Sequence, residues 1–434
     1  MVLSFCILLF VIGLWVYRIY TQYIFHYFLI WIFFFPVLFN IFHTIEEEDY
    51  WKIITWTIYL SYAIVLLDIL RFGIDNKWIQ RILFLVGGII AYYSALSFFR
   101  GTGLIASMKY ITGSLGFVVS LSIIRYKECD VGSLLRLIRF IVFFEILLAL
   151  FQPFTDTLNF HVALNGDDVM TAMVNGTFIR NNVFVEILTP LVMILVYHEY
   201  RVNEKITPRM VLVVTLMLWL IYYSSVRTAL VGILPISIIV FYMILGNRFK
   251  TRKGRIFVFL FFLLSMYVVY SFVQNMAEET GVTYTQNAKD SSERQAVLLS
   301  MLNDSDFAEE QTTLGLSYIV LYSLPDNPLF GPGKLLQSGG YGGFISRENG
   351  NDTDATLAIY ICETGIIGVL LLLIVYYIVL KKVGNNNILS NLIFLFLSLI
   401  TIADAGLFFI GNMIPLFISM QVSDFEPNEE CSEV

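Results

Sequence analysis

Four arginines and four acidic residues are the side chains of this sequence best suited to chemistry. An arginine offers a permanent charge on a planar fork that fits a phosphate or a carboxylate. An acidic side chain can orient a hydroxyl group or take its proton. The eight residues are Arg180, Arg227, Arg294, Arg347, Glu186, Asp352, Asp354 and Glu363.

Arg227 stands inside an apolar run that covers residues 216–245. A charge at the centre of a bilayer costs roughly 2.5–3.5 kcal/mol on insertion scales. We therefore expect the run to divide into two helices with Arg227 at the turn between them. One interpretation is an interfacial arginine whose head group reaches lipid phosphates. The other is a fixed cation that binds a phosphate or carboxylate of a substrate.

Arg180 and Glu186 belong to the stretch "VNGTFIRNNVFVEIL", residues 174–188. Its Asn-Gly pair predicts a turn, and Arg180 directly precedes a predicted helix that carries Glu186 about one and a half turns in. The stretch can be read as a plain helix start with an interfacial arginine. Two arginines at the outer ends of separate helices also favour a shared anion site.

The acidic residues of the C-terminal third lie at the start of another predicted helix. Asp352 and Asp354 come just before it and Glu363 lies in its outer part. This cluster is either a simple N-cap or the location of a general base. The Gly-rich stretch 323–344 lacks the GxxxxGK[ST] spacing and a preceding strand, so we reject nucleotide binding there.

Composition predicts a membrane protein. The chain has 434 residues, of which 58% are hydrophobic and only 14% charged, whereas soluble proteins carry about 25% charged residues. Apolar runs long enough to cross a bilayer recur along the chain. We therefore predict an all-α, polytopic transmembrane helix bundle of about 12–13 spans with a large extracytoplasmic loop. The four cysteines are scattered without metal-ligand spacing, and no metal site is predicted.

Basic residues predict the orientation because cytoplasmic loops carry an excess of lysine and arginine. The basic clusters follow every second predicted span, which places the N-terminus outside and the acidic tail inside. Arg136, Arg139 and Glu145 share one predicted span, and we interpret them as a structural ion-pair network. The predicted domains are spans within 1–274 with an outer loop at 153–180, a large loop at 275–354, C-terminal spans within 355–421, and a cytoplasmic tail at 422–434.

The predicted loop 275–354 is too long to be a mere connection. It carries twelve acidic side chains against four basic ones. Arg294 and Arg347 lie in this loop, and Arg180 and Arg227 are predicted on the same side of the membrane. On a generally acidic face these four arginines are the exceptional charges.

Four short stretches together resemble the O-antigen ligase and polymerase (Wzy-like) superfamily of bacterial envelope enzymes. They agree with the family in their order and in their predicted side of the membrane, over about residues 170–375. Family ligases typically carry a histidine late in the large loop, but residues 275–354 contain none, which favours a repeat-unit polymerase. The stretches are "NGTFIRNNVFVEIL", "YYSSVRTALVG", "SSERQAVLL" and "NPLFGPG" with "DTDATLAIYICETGIIG".

The resemblance implies a glycosyltransferase that polymerises oligosaccharides carried on undecaprenyl pyrophosphate, at the outer face of the bacterial inner membrane. Its product would be O-antigen, capsule or exopolysaccharide. The leaving pyrophosphate is already a stable anion, so cations and positioning suffice, without a metal, nucleotide or other cofactor. In this reading Arg180 and Arg227 hold the pyrophosphate with help from Arg294, and Asp354 or Asp352 acts on the acceptor hydroxyl. Arg347, Glu186 and Glu363 are assigned to substrate binding.

Two other functions remain open. One is ligase-type transfer of a finished glycan, and the other is transport by a lipid-linked oligosaccharide flippase, although we see no internal repeats. A structural scaffold for envelope assembly is a third possibility. The predicted location is the inner membrane, as a multi-pass protein. Partners are the lipid-linked oligosaccharides and membrane lipids, with a chain-length regulator and a flippase as candidates, and no nucleic acid.

Overall fold

The fold is described from a computed structural model. It describes residues 12–13, 23, 25–26, 28–30, 33, 77–99, 129–152, 174, 176–177, 181–223, 236–240, 329–330, 365–371, 373–378, 387–403 and 410–424. The chain divides into two compact units. The first comprises Met1–Phe28, Glu48–Asp130 and Gln311–Gln421, and the second Leu29–Glu47, Val131–Glu310 and Val422–Val434.

Three helices that contact one another form most of the described part of the second unit. They are α2 (Val131–Phe151), α3 (Asn181–Asn203) and α4 (Pro208–Tyr223). α3 is its centre, because nearly every side chain from Phe184 to Tyr197 is buried. Burial on all sides explains why α3 lacks the single apolar stripe that is typical of a surface helix.

α3 ends because Glu204 leaves the helical conformation. Its φ is +53°, in the left-handed region that commonly closes a helix. The Glu204 amide donates a hydrogen bond to the Tyr200 carbonyl at 2.8 Å. The Asn203 side-chain amide donates to the Glu199 carbonyl, also at 2.8 Å, which satisfies one more carbonyl of the last turn.

α4 begins at a standard helix start. Thr207 is its N-cap, and its hydroxyl oxygen accepts a hydrogen bond from the Met210 amide at 3.3 Å. Pro208 occupies the first helical position, where a missing N–H costs nothing. The Thr207 hydroxyl also donates to the Glu199 carboxylate at 2.6 Å, which ties the end of α3 to the start of α4.

The directions of these three helices follow from their connections. The side chain of Gln152, at the end of α2, is hydrogen-bonded to Gly176, which lies five residues before α3 begins. α3 therefore starts close to the end of α2 and runs back along it. α4 follows α3 after a four-residue turn, so α2 and α4 begin at the same end of the unit.

The first unit contains α1 (Lys77–Phe99), α5 (Ile388–Ala403) and α6 (Ile410–Asp424), the last of which extends three residues beyond it. Residues 365–371 and 373–378 are also helical. Asn387 caps α5, since its side-chain oxygen accepts the Leu389 amide at 2.9 Å. The hydroxyl groups of Ser390 and Ser419 join α5 to α6 at 3.0 Å.

Most of the described residues are helical, but none of the described helices is both long and apolar enough to cross a membrane. The prediction of a polytopic transmembrane bundle is therefore wrong for this part of the chain. The described parts of α4, α5 and α6 comprise 16, 16 and 15 residues, or roughly 24 Å of helix, against a hydrocarbon core of about 30 Å. α2 carries Arg136, Arg139 and Glu145, and α3 carries Glu186 and Pro190. The predicted loop 275–354 lies outside the described residues except for 329–330.

Candidate functional site

Glu186 is the single predicted site residue that falls within the described residues. The other seven are Arg180, Arg227, Arg294, Arg347, Asp352, Asp354 and Glu363, and they lie outside them. Their assigned roles, and a shared site among them, therefore stay predictions.

Glu186 lies in the interior of α3, with its side chain 3% exposed. Pro190 follows four residues later and has no N–H to offer the Glu186 carbonyl, which interrupts the helical ladder at this turn. Between them, the Thr189 hydroxyl is fully buried and has no hydrogen-bond partner among the described residues. This turn of α3 is a polar interruption in an otherwise apolar helix, and its predicted role in substrate binding remains a prediction.

The described residues with the most developed polar geometry are Glu145, Gln152, Gly176 and Thr177, which we call the Glu145 clasp. Thr177 donates its hydroxyl proton to Glu145 Oε1 at 2.8 Å and its amide proton to Glu145 Oε2 at 3.0 Å. Gln152 Nε2 donates to the Gly176 carbonyl at 2.6 Å, and Gln152 Oε1 accepts the Gly176 amide at 2.9 Å. The clasp thus joins α2 to the segment that leads into α3.

The clasp requires glycine at position 176. Its φ is +57°, a conformation that side-chain-bearing residues adopt only at a cost. A Cβ atom there would overlap Glu145 Oε2 and would come within 2.6 Å of the Phe184 ring. Phe184 is fully buried in α3. The turn can therefore approach both helices this closely only without a side chain.

Burial changes the acidity of Glu145. Loss of hydration raises the pKa of its carboxyl from 4.5 to about 8, although both hydrogen bonds from Thr177 act in the opposite direction. A protonated carboxyl also fits the clasp, since its O–H can donate to the Thr177 hydroxyl while the other oxygen accepts the Thr177 amide. Because Glu145 is 1% exposed, we assign it to positioning the turn and not to contact with a substrate.

The predicted ion-pair network within α2 is wrong. Glu145 faces the interior and binds Thr177, whereas Arg136 and Arg139 are exposed. The helical period explains this, because six or nine residues of separation place two side chains on different faces. Gln152 and Thr177 were not among the predicted site residues. Gln152 follows Glu145 by seven residues, or two helical turns, which places both side chains on the same face of the helix. This spacing is the sequence feature that could have linked the two residues.

A second contact joins two of the stretches that carry the family resemblance. The Ile367 amide donates to the Leu329 carbonyl at 3.3 Å. Gly365 has a φ of +69°, and a Cβ atom there would overlap the backbone of Leu329. Nearby, the rings of Phe330 and Tyr92 have centroids 6.3 Å apart. Leu329 and Gly365, one from each of these stretches, thus meet in the first unit although they are 36 positions apart in the sequence.

The described residues contain no group of three or more histidine, cysteine or acidic side chains that could hold a metal ion. Cys129 lies just before α2. Burial, followed by the neighbouring Asp130 carboxylate, raises the pKa of its thiol to about 12. A thiol with such a pKa stays protonated near neutral pH and is a poor nucleophile.

No known protein family, curated protein or solved structure compared with this chain is similar to it. The superfamily resemblance therefore rests on the four short stretches alone, and it stays a prediction.

Proposed function

We propose that the protein is a glycosyltransferase that polymerises oligosaccharide repeat units carried on undecaprenyl pyrophosphate, at the outer face of the bacterial inner membrane. The observation that carries the proposal is the Glu145 clasp, because two of its residues, Gly176 and Thr177, belong to one of the stretches that resemble the family. Gly176 and Thr177 are held against α2, and α3 begins at Asn181, the residue after Arg180. A rigid turn three residues before an arginine is suited to presenting a cation to a leaving pyrophosphate.

The contact between Leu329 and Gly365 supports the same proposal. It joins the end of the predicted large loop to the glycine-containing helix that follows it, and both stretches carry the resemblance. Chemistry that depends on fixed cations and an oriented hydroxyl needs such anchored connections, since misplacement of about 1 Å can cost 100-fold in rate.

In this proposal Arg180 and Arg227 hold the pyrophosphate, with Arg294 as helper, and Asp354 or Asp352 orients or deprotonates the acceptor hydroxyl. Arg347 and Glu363 contact the substrate, whereas the burial of Glu186 inside α3 leaves its predicted contact outside this proposal. The bond from the sugar to the pyrophosphate breaks, a new glycosidic bond forms, and the acceptor proton passes to the base. Neither a metal nor a nucleotide takes part.

The test replaces Arg180 or Arg227 by Ala in the full chain, produced in a strain that lacks the gene. We expect long surface polymers to shorten to single repeat units at equal protein level. Arg81→Ala is the matched control, because Arg81 is an exposed cation of α1 outside the proposed site. Unchanged polymer length in both site variants would refute the assigned roles.

The glycan of the deletion strain separates the competing functions. Single repeat units on the final acceptor indicate a lost polymerase. Absence of surface glycan with accumulated lipid-linked polymer indicates a lost ligase. Lipid-linked units that accumulate on the cytoplasmic face indicate a lost flippase, and either of the last two results would replace our proposal.

A further inference from the structure

One face of α2 is apolar, and its side chains are partly exposed. Phe140, Phe143, Leu147 and Phe151 are all exposed, with 63% exposure at Phe143. Their spacing of three or four residues places them along one side of the helix. The opposite side packs inward and carries Glu145. We call the exposed residues the aromatic stripe of α2, and such a contiguous apolar surface is typical of an interaction site.

Two arginines continue the aromatic stripe towards the start of α2. Arg136 and Arg139 are exposed, and they lie four residues before Phe140 and Phe143, respectively. Cations early in a helix oppose the helix dipole, which favours negative charge at that end. Helix stability therefore gives no reason for arginines at these positions. Binding of an anion outside the chain would give one.

α4 repeats this arrangement. Arg209 is exposed in its first turn, and Leu212 and Trp219 follow on its exposed side. Because α2 and α4 begin at the same end of the second unit, their arginines lie towards the same end. Trp is favoured where an apolar layer borders a polar one.

The described charged residues near this end include acids as well as bases. Glu199 is hydrogen-bonded to Thr207, and Arg201 Nη1 donates to the Ser423 carbonyl at 2.9 Å. Five basic residues and three acidic ones lie near this end among the described residues. They are Arg136, Arg139, Arg201, Lys205, Arg209, Asp130, Glu199 and Glu204.

This surface has cations at one end and apolar side chains along the rest. A layer with negative charge on one side and hydrocarbon on the other is complementary to it. The cations stand at one end of the apolar faces, whereas a protein–protein interface carries a polar rim around its apolar centre. Arg139 and Phe151 are twelve residues apart, which is about 18 Å along a helix. The hydrocarbon of one lipid leaflet is about 15 Å deep.

We propose that α2 and α4 dock on an anionic phospholipid leaflet. Arg136, Arg139 and Arg209 meet the headgroup phosphates, and the aromatic stripe of α2 and Trp219 lie against acyl chains. This inference concerns a lipid surface and does not depend on the proposed glycosyltransferase activity.

The test places a fluorescent label on the aromatic stripe of the full chain. The four native cysteines are replaced by Ser, Phe143→Cys is labelled, and the protein is reconstituted in phosphatidylcholine vesicles with or without phosphatidylglycerol. Lipids brominated on the acyl chains quench a label that touches them. We expect brominated phosphatidylglycerol to quench more strongly than brominated phosphatidylcholine at equal content.

Charge variants identify the source of this preference. Arg136→Gln with Arg139→Gln should remove it, by roughly 5-fold for each arginine. Arg136→Lys with Arg139→Lys keeps the charges and should keep the preference. Leu147→Cys provides a second label on the same stripe if the label at position 143 disturbs folding, as judged by circular dichroism.

Three results would overturn the inference. Equal quenching by both lipids would show that the arginines select no headgroup. A label that neither lipid quenches, together with concentration-dependent association, would assign the stripe to a second copy of the chain. Relief of quenching by small amounts of a polyprenyl pyrophosphate would assign it to a lipid-linked substrate.

Discussion

Gly176 and Gly365 both hold a left-handed backbone against a segment from elsewhere in the sequence, but the groups that they meet differ. Gly176, in the second unit, is bonded to the Gln152 side chain and would overlap the Glu145 carboxyl if it carried a Cβ atom. Gly365, in the first unit, would overlap the backbone of Leu329. The contact at Gly176 depends on side chains and can be altered one group at a time, whereas the contact at Gly365 depends on main-chain atoms.

The largest expected difference between the two contacts is their response to pH. In the folded chain Glu145 keeps its proton up to a pH of about 8, whereas its ordinary pKa is 4.5. Between these values the folded state binds one proton more than the unfolded state. The free energy of unfolding should therefore fall as the pH rises through this window, by up to about 1.4 kcal/mol per pH unit, and level off above it.

Glu145→Gln is the matched control for this prediction. Its amide reproduces the hydrogen bonds of the protonated carboxyl but does not titrate. Denaturant unfolding at several pH values, followed by far-ultraviolet circular dichroism, measures the difference between the two proteins. Parallel pH profiles would show that Glu145 titrates normally in the folded chain.

The next largest effect is expected from alanine at the two glycines. A left-handed alanine costs about 1–2 kcal/mol, and an overlapping methyl group adds about 1–3 kcal/mol. Gly365→Ala should lower stability more than Gly176→Ala, because the atoms that a methyl group would overlap at Gly365 are main chain, whereas those at Gly176 belong to the Glu145 and Phe184 side chains. Thermal unfolding compares the two variants.

Gly87→Ala provides the control for these substitutions. Gly87 lies within α1, and a Cβ atom there would have no neighbour within 4 Å. Alanine is favoured over glycine in a helix by up to about 1 kcal/mol, so this variant should gain stability. If all three variants change the unfolding temperature equally, the close approaches at Gly176 and Gly365 do not make alanine unfavourable there.

A smaller effect is expected at Thr177. Thr177→Val removes the hydroxyl that is hydrogen-bonded to Glu145 Oε1 and leaves this buried atom without that partner. The expected loss of stability is about 1–3 kcal/mol. Thr177→Ser keeps the hydroxyl and should retain most of the stability in the same denaturant titration. An unchanged midpoint for Thr177→Val would exclude an energetic role for this bond.

The smallest effect is expected at the serine pair of the first unit. Ser419→Ala removes a hydrogen bond to Ser390 and another to the Leu416 carbonyl, the latter 2.6 Å long. The expected loss is about 1 kcal/mol, since neutral hydrogen bonds contribute little net stability. Ser390→Ala with Ser419→Ala should recover part of it. If Ser419→Ala loses as much stability as Thr177→Val, a hydrogen bond to a buried acid contributes no more than one between two buried hydroxyl groups.

Local signals in the sequence predicted some features of the second unit. The Asn-Gly pair predicted a turn, which the left-handed Gly176 confirms, and the helix expected directly after Arg180 begins at Asn181. Turn residues and helix starts follow from backbone preferences of a few neighbouring residues. Such local preferences do not predict the partners of Glu145. Thr177 is 32 residues away in the sequence, and Glu145 binds Thr177 instead of Arg139 because it lies on the buried face of α2.

Hydrophobic composition led to the incorrect part of the fold prediction. Apolar runs were taken as spans, but within the described residues α2 contains charged side chains and α4 ends after 16 residues. A count of apolar residues does not distinguish a helix that crosses a bilayer from one that is buried among other helices.

Gln152 has a further consequence for the connection between α2 and α3. Its side-chain amide carries the same N–H and C=O groups as a peptide bond, and it is hydrogen-bonded to both the N–H and the C=O of Gly176. One helical residue thus provides the pairing that a neighbouring β-strand would otherwise provide, so a non-helical segment can lie in the interior without a sheet. Only asparagine and glutamine carry such a group, and glutamic acid at this position would set an oxygen against the Gly176 carbonyl.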